Sequence, residues 1–247
     1  MKNVYDNENF FNEYKSMREE KINANNLIEN PIMLSMMPDV KNKTILDLGC
    51  GDGNMDIKFV NMGAKSVFAT DISQNMINEA KIKNGSDKIE YEVYKMEDIS
   101  NLKMKFDIVY SSLAFHYIED FDKLLHDIHN LLNPNGILIF SQESPINTSF
   151  EETKDNLDNK IIINGKYYYL LSGYSKEGER QITWNDVSVT KYHRTYATIV
   201  NLLVKNNFKI IEMKDSYASK EAVKLCPKFV RQQDKPYFTF VLAEKEN

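Results

Sequence analysis

Between residues 43 and 141, short apolar runs alternate with amphipathic ones, and that alternation leaves the chain very few architectures. Thr44-Ile45-Leu46-Asp47-Leu48 is an apolar strand that ends abruptly in Gly49-Cys50-Gly51-Asp52-Gly53. A helical stretch follows with Met55, Phe59, Val60 and Met62, and Gly63 stops it. Ser66–Asp71 is a second strand, and Ser73 caps a helix whose inner face is Met76, Ile77 and Ala80. Ile89–Tyr94 and Phe106–Tyr110 read as strands, and Phe121, Leu124, Leu125, Ile128, Leu131 and Leu132 form one helical stripe. After the turn residues Asn133-Pro134-Asn135-Gly136 comes another buried strand, Ile137–Phe140. Strands this apolar, separated by helices, belong to a parallel sheet covered on both faces. Right-handed crossovers make that sheet doubly wound.

The flanks read differently. Residues 7–37 have helical spacing of Phe10, Phe11, Tyr14, Met17, Ile22, Leu27 and Ile28, and Pro31 predicts two pieces or a kink. Residues 143–192 are polar and aromatic, and Asn164-Gly165 between Ile161–Ile163 and Tyr167–Leu170 is a hairpin signal. Gln181–Trp184 and Val187–Val189 add strands there, while Tyr167, Tyr168 and Tyr169 fit the packed face of a hairpin. A helix from Thr195 (Ile199, Leu202, Leu203) and strands at Phe208–Ile211 and Tyr237–Leu242 complete the pattern. The division is thus an N-terminal helical cover (1–40), a core (41–142 and 195–247) and an inserted β lid (143–194).

Charge and rare residues narrow the function. A net charge of −5 and a pI near 5.5 argue against nucleic acid as a partner, because phosphate contacts need a basic face. Two cysteines, Cys50 and Cys226, supply neither a disulfide framework nor a thiolate cluster, and four scattered histidines suggest no metal site. His126 and His129 read as solvent-facing. Met1 to Phe11 holds no apolar signal core, and no stretch approaches the roughly 18 apolar residues of a membrane span. The reading is a soluble, cytoplasmic protein without a membrane partner, monomeric or homodimeric.

In an open α/β sheet, ligands sit at the C-terminal strand ends, where the turn 49–53 falls. Glycines let the backbone approach a ligand, and the next helix offers free N–H groups. Asp71 ends the following strand, 24 positions after Asp47, where a carboxylate can take both hydroxyls of a ribose. Two ligands fit, a dinucleotide or S-adenosylmethionine. The dinucleotide fingerprint is G-x-G-x-x-G, whereas here the spacing is G-x-G-x-G. Asp47, two residues before the first glycine, would repel a pyrophosphate but suits a ligand carrying an ammonium and a sulfonium.

Asp47-Leu48-Gly49-Cys50-Gly51-Asp52-Gly53, then Asp71-Ile72-Ser73 with Met76 and Ala80, then Phe106-Asp107-Ile108-Val109-Tyr110-Ser111, resembles class I S-adenosylmethionine-dependent methyltransferases. The branch it looks most like is the small-molecule group that includes ubiquinone/menaquinone-biosynthesis enzymes. The resemblance implies a Rossmann-like, doubly wound, seven-stranded sheet with N-terminal helices and the lid. It implies S-adenosylmethionine as cofactor, S-adenosylhomocysteine as product, no metal, and a small-molecule methyl acceptor as partner. Carried over, the methionine portion lies against Gly49 and Gly51, with Cys50 in the same turn serving by its size. Asp71 holds the ribose, Ile72 and Met76 pack on the adenine, and Met96-Glu97 grip the adenine edge. Relatives often carry an acid where Lys95 stands. Ser111 offers a carbonyl to the ligand's amino group, and Tyr14 and Arg18 resemble a Tyr-x-x-x-Arg that closes over the cofactor.

Methyl transfer from a sulfonium is an in-line displacement, so the protein supplies alignment, a dry site and, for a protic acceptor, a base. His116, after the fourth strand, and Glu143, after the fifth, stand at the functional edge as base or substrate contacts. His193, with Arg194 beside it, precedes Thr195 where the lid returns to the core, and is the third candidate. The rival readings are a dinucleotide-dependent oxidoreductase and a non-catalytic S-adenosylmethionine-binding sensor or scaffold.

Overall fold

A computed structural model describes residues 6, 11, 15, 16, 20–150, 160–184 and 187–246, and of Trp184 only the backbone. The apolar runs form β1 (Thr44–Leu48), β2 (Ser66–Asp71), β3 (Ile89–Val93), β4 (Phe106–Ser112) and β5 (Leu132–Glu143). Two hairpins follow, β6 (Lys160–Ile163) with β7 (Lys166–Tyr169), and β8 (Gly178–Trp184) with β9 (Val187–His193). β10 (Phe208–Asp215) and β11 (Phe238–Lys245) rejoin the main sheet, whose order is β10-β11-β5-β4-β1-β2-β3. β1 to β5 are parallel and β11 runs antiparallel to both its neighbours. The chain winds outward in both directions from the β1–β4 pair, so the crevice of a doubly wound sheet opens at the C-terminal ends of those two strands.

The helices are α1 (Asn30–Met36), α2 (Asn54–Asn61), α3 (Gln74–Asn84), α4 (Phe121–Leu131), α5 (Pro145–Thr148), α6 (Tyr196–Lys205) and α7 (Lys220–Leu225). Strand alternation sends Ile45, Val67, Ile108 and Ile139 to one face, against Met33 and Met36 of α1, Phe59 of α2 and Ile77 of α3. Leu46, Phe68, Val109 and Leu138 go to the other face, against Leu124, Leu125 and Ile128 of α4 and Ile199 and Leu203 of α6. Ser73 caps α3 by accepting from the Met76 N–H at 3.3 Å. Among the described residues, no helix is long and apolar enough to cross a membrane.

Several local expectations change. Pro31 neither breaks nor splits the first helical segment. A π-helical turn at Asn25–Glu29 runs directly into α1, and Pro31 sits in the first turn of α1. A widened turn accommodates a residue that has no N–H to donate. Asn133–Gly136 is not a turn between elements but a bulge inside β5. Phe106 pairs with Leu132 and Ile108 with Ile137, and Asn135 takes φ 59°. His129 is half-buried, its ring edge-on to Phe208 at 5.5 Å. Asn164 and Gly165 form the tight turn of the β6–β7 hairpin with φ of 50° and 76°. That hairpin points outward, with Ile161, Ile162, Ile163, Tyr167 and Tyr168 exposed and Tyr169 half-buried under Lys235, so the tyrosines are not the packed face of the hairpin.

Candidate active site

The turn after β1 is held to β2 by main-chain bonds. Gly49 and Cys50 both donate to the Thr70 carbonyl, at 2.8 and 2.9 Å, and the Thr70 hydroxyl returns a bond to the Asp47 carbonyl at 3.2 Å. Asp71 accepts from the Gly51 N–H at 3.0 Å and the Ser73 N–H at 2.9 Å, so one carboxylate ties the turn to the start of α3. Gly49 takes φ +82°, and a Cβ there would stand 2.7 Å from Ala114 Cβ and 2.9 Å from Met96 Cε. Gly51, at φ +57°, faces open space with nothing within 4 Å. One glycine therefore allows close packing between elements, and the other leaves room for a ligand.

That room is a cavity of about 570 Å³. Asp47, Gly49, Cys50, Gly51, Asp71, Ile72, Met76, Met96 and Glu97 line it, with Tyr94 and Tyr110. The wall is strongly acidic. Burial first, then Asp56, Asp71 and Glu29, push the Asp47 carboxyl well above the usual carboxylate range. Burial likewise raises Asp56 to about 7 and Asp71 to about 6, the latter against the pull of its Ser73 and Gly51 amide bonds. Asp47 Oδ1 is buried with no hydrogen-bond partner among the described residues. Buried carboxylates without a compensating cation are costly, and a positively charged ligand would relieve them. Burial and the same acids also keep the Cys50 thiol protonated, which fits a residue chosen for its size.

The far end of the cavity is assembled from distant segments. Leu113 takes φ +52°, held there by its N–H on the Ser141 carbonyl and hydroxyl, both at 3.0 Å. This sparsely populated conformation for a bulky residue ends β4 and starts the short turn Phe115–Tyr117. Leu113, Ala114, His116, Tyr117 and Glu143 line the cavity here. The Glu143 N–H donates to His116 Nδ1 at 3.3 Å, and His116 Nε2 is 4.0 Å from Glu143 Oε1. Lys191, reaching in from β9 and itself buried, pairs with Glu143, and Asn147 donates to the other carboxylate oxygen at 3.3 Å. Burial pushes Glu143 upward, but Lys191, His116 and the bonds from Lys191 and Asn147 bring it down to about 2. Burial lowers His116 to about 3 despite Glu143 nearby, with Lys191 and Arg194 adding to the effect.

The cavity thus joins an acidic glycine turn, able to hold a sulfonium and an amine, to a polar pocket for a second molecule. A methyltransferase domain model matches residues 46–140. The crystal structure of an S-adenosylmethionine dependent methyltransferase from Mesorhizobium loti superposes with a TM-score of 0.80 at 30% identity, covering 88% of this chain and 97% of that one. This chain is an S-adenosylmethionine-dependent methyltransferase. An uncharacterized protein of Haemophilus influenzae is 40% identical over 220 residues, 86% of this chain and 85% of its own. The ubiquinone biosynthesis O-methyltransferase of Pelagibacter ubique is 31% identical over 118 residues, 47% of this chain and 48% of that protein. The cofactor is therefore S-adenosylmethionine, and the dinucleotide alternative falls away.

The methyltransferase fold does not bring every sequence candidate to the cavity. Ser111 lies inside β4, fully buried, with its hydroxyl on the Leu48 carbonyl at 2.7 Å, and Ser112 lines the cavity in its place. Strand parity explains this, since Tyr110 and Ser112 share one face and Ser111 takes the other. His193 is fully buried between the Thr148 hydroxyl, 2.7 Å from Nδ1, and the Tyr174 carbonyl, 2.8 Å from Nε2. Arg194 donates to the carbonyls of Ile118 and Glu119 and stacks 4.9 Å over Phe121, where it fastens β9 to the turn carrying His116. Tyr14 and Arg18 lie outside the described residues. Of the described residues around them, Asp6 accepts from the Ser73 hydroxyl at 2.7 Å and Lys15 pairs with Glu79 at 2.9 Å.

Sequence reasoning did not find Asn25, Asn26 and Asn30, which line the cavity from the π turn and the start of α1. Nor did it find Glu29, which accepts from Ser112 at 2.9 Å and Ser141 at 2.6 Å and so ties that turn to β4 and β5. A run of four asparagines in residues 23–30 with one acid was the available signal. Lys191 had none, because alternation in β8–β9 says only that half its residues face inward.

Proposed function

We propose that this methyltransferase transfers the methyl group of S-adenosylmethionine to a small-molecule acceptor seated between the glycine turn and the His116–Glu143 wall. The observation that carries the reading is the single cavity lined by both sets of residues. Gly49, Gly51, Asp47 and Asp71 would hold the cofactor, Ile72, Met76, Met96 and Glu97 its adenosine end, and the bound cofactor supplies an activated methyl group. The Ser111 carbonyl would meet the ligand's amino group, while Tyr14 and Arg18 would close over it. Residues 143–194 would serve as the lid, a role supported by Lys191 of β9, which pairs with the cavity-lining Glu143, and by Arg194, which bonds to the Ile118 carbonyl. His193 serves as a packing residue of that lid. A walled pocket of this size favours a compact acceptor, and the ubiquinone-biosynthesis relative, an O-methyltransferase, supports oxygen as the atom methylated.

Calorimetric titration with S-adenosylmethionine, S-adenosylhomocysteine and NAD, followed by assay of S-adenosylhomocysteine release over a panel of phenols, alcohols, amines and carboxylic acids, tests the proposal. Micromolar binding of the first two ligands and turnover of at least one compact acceptor is the expected result. Tight cofactor binding with no release for any member of the panel would overturn the small-molecule reading and favour a sensor or scaffold.

A further inference from the structure

The wall opposite the glycine turn holds a histidine and a glutamate that are natural candidates for a proton-abstracting base, and their geometry divides the roles unequally. His116 Nδ1 accepts a hydrogen bond from the Glu143 main-chain N–H at 3.3 Å. A ring nitrogen that accepts carries a lone pair, so in the neutral imidazole the single proton is on Nε2. Nε2 stands 4.0 Å from Glu143 Oε1, beyond hydrogen-bond reach, and is available to the cavity that His116 lines. The donor that sets this tautomer is a backbone amide in β5, whose position is fixed by the sheet: Glu143 pairs with Phe238 of β11, and the next amide, of Ser144, bonds to the Tyr237 carbonyl at 2.8 Å.

Burial and the nearby cations oppose a second proton on the ring, and they outweigh the Glu143 carboxylate that favours it. His116 is 3% exposed, the Tyr117 ring lies 4.2 Å from it, and Lys191 from β9 and Arg194 beyond it add positive charge. Glu143 is the one facing anion, and it is already engaged by Lys191 and Asn147. Protonation would also break the Nδ1 bond, because the amide donor and a new ring N–H would meet head-on.

We propose that His116 is a neutral Nε2–H donor locked in one tautomer, and that Glu143, positioned by Lys191, is the group that receives the proton of a hydroxyl acceptor. The inference rests on the methyl-transfer reading above and assigns the parts within that site. As the acceptor's lone pair bonds to the methyl carbon, the carbon–sulfur bond breaks with its electron pair staying on sulfur. The acceptor's proton passes to the Glu143 carboxylate and from there to water. A carboxylate this acidic still suffices, because an oxygen that has just gained a methyl group while keeping its proton is a far stronger acid than a carboxylic acid. His116 Nε2–H meanwhile hydrogen-bonds the acceptor and holds its lone pair in line.

Histidine ring nitrogens in the full-length protein labelled with ¹⁵N-histidine report this directly. Four histidines give four ring systems, and substitution of each in turn by asparagine assigns the His116 signal even if His116→Asn itself does not fold. The expected spectrum keeps a protonated Nε2 and a bare Nδ1 at every pH from 5 to 8, and Glu143→Ala leaves it unchanged because the amide donor survives. A titration midpoint inside that range, or a proton on Nδ1, overturns the proposal. No methyl acceptor is needed, so this failure is distinct from failure of the methyl-transfer reading, which the binding and release assays detect. With any hydroxyl acceptor that turns over, His116→Gln, which keeps a donor but cannot act as a base, is expected to lower kcat by up to about tenfold, the worth of one positioned hydrogen bond, and to leave the pH profile unshifted. Glu143→Gln is expected to lose about 10²–10⁴ in kcat, the usual worth of a positioned base. The reverse pattern assigns the base to His116 and sinks the proposal.

Discussion

The two ends of the cavity handle buried charge in opposite ways. At the glycine turn, Asp47, Asp56 and Asp71 are crowded together with Glu29 nearby, and their carboxyls are all displaced upward. At the far end Glu143, half-buried, is displaced downward, because Lys191 from β9 meets it. The difference teaches where each charge is to be neutralised. At the first end burial and neighbouring acids dominate among the described residues, a setting that suits a cationic ligand, whereas the second end carries a cation of its own, Lys191.

The largest effect should come from breaking the self-sufficient end. Lys191→Met leaves Glu143 as an unpaired, enclosed carboxylate, and loss of one partner from a buried pair costs about 3–5 kcal/mol. The Glu143 side chain is 19% exposed, which places the effect near the lower limit of that range. Denaturant unfolding measures it, and an unchanged midpoint would mean that the pair contributes nothing. At the other end, Gly49→Val forces a β-branched residue to φ +82° against Ala114 and Met96. The left-handed backbone costs about 1–2 kcal/mol, read as a lowered midpoint of denaturant unfolding.

Asp71→Ala should weaken S-adenosylmethionine by about 1–3 kcal/mol if the carboxylate accepts the ribose hydroxyls. Because Asp71 also accepts from Gly51 and Ser73, Asp71→Asn sharpens the test. The amide keeps an acceptor for one of those amides but not the charge, and affinity equal to wild type would remove the carboxylate's role.

The smallest effect is the most diagnostic of the contrast. Asp56 near 7 and Asp71 near 6 hold protons in the folded state that the unfolded chain releases near 3.8. The folded state therefore binds more protons at these two groups between those values, so their contribution to ligand-free stability is full below about pH 4 and falls as pH rises toward 7. A cationic cofactor favours the ionised carboxylates, so its affinity should rise from pH 5.5 to 8, by up to about tenfold per proton released and unit of pH. Thermal unfolding with and without S-adenosylmethionine across that range checks both signs. Affinity that falls with pH would reverse the proposed role of the acid cluster.

How legible these two ends were in the sequence follows from how each is built. The cofactor end is nearly contiguous, a strand, a glycine turn and the carboxylate that ends the next strand, so Gly49, Gly51 and Asp71 were readable from order and spacing. The Ser111 and Ser112 pair shows the limit of that reading, because one step along a strand exchanges the buried face for the cavity face. His116 and Glu143 were placed by their positions after β4 and β5, but nothing local shows which of them carries the proton. Lys191, 48 residues beyond Glu143, was not visible at all.

By itself the sequence determined the alternation of β1 to β5 with their helices, the hairpin turn at Asn164-Gly165, the capping of α3 and the chemistry of the glycine turn. These depend on residues within one or two elements, where hydrophobic period and backbone preference act directly. Tertiary structure alone decided that Pro31 sits in a continuous helix, that Glu29 ties this helix to the strand ends, and that His193 packs inside the hairpin segment rather than facing the cavity. It alone set the state of the His116–Glu143–Lys191 group, because burial and the position of a charge contributed by a distant strand are properties of the packed chain.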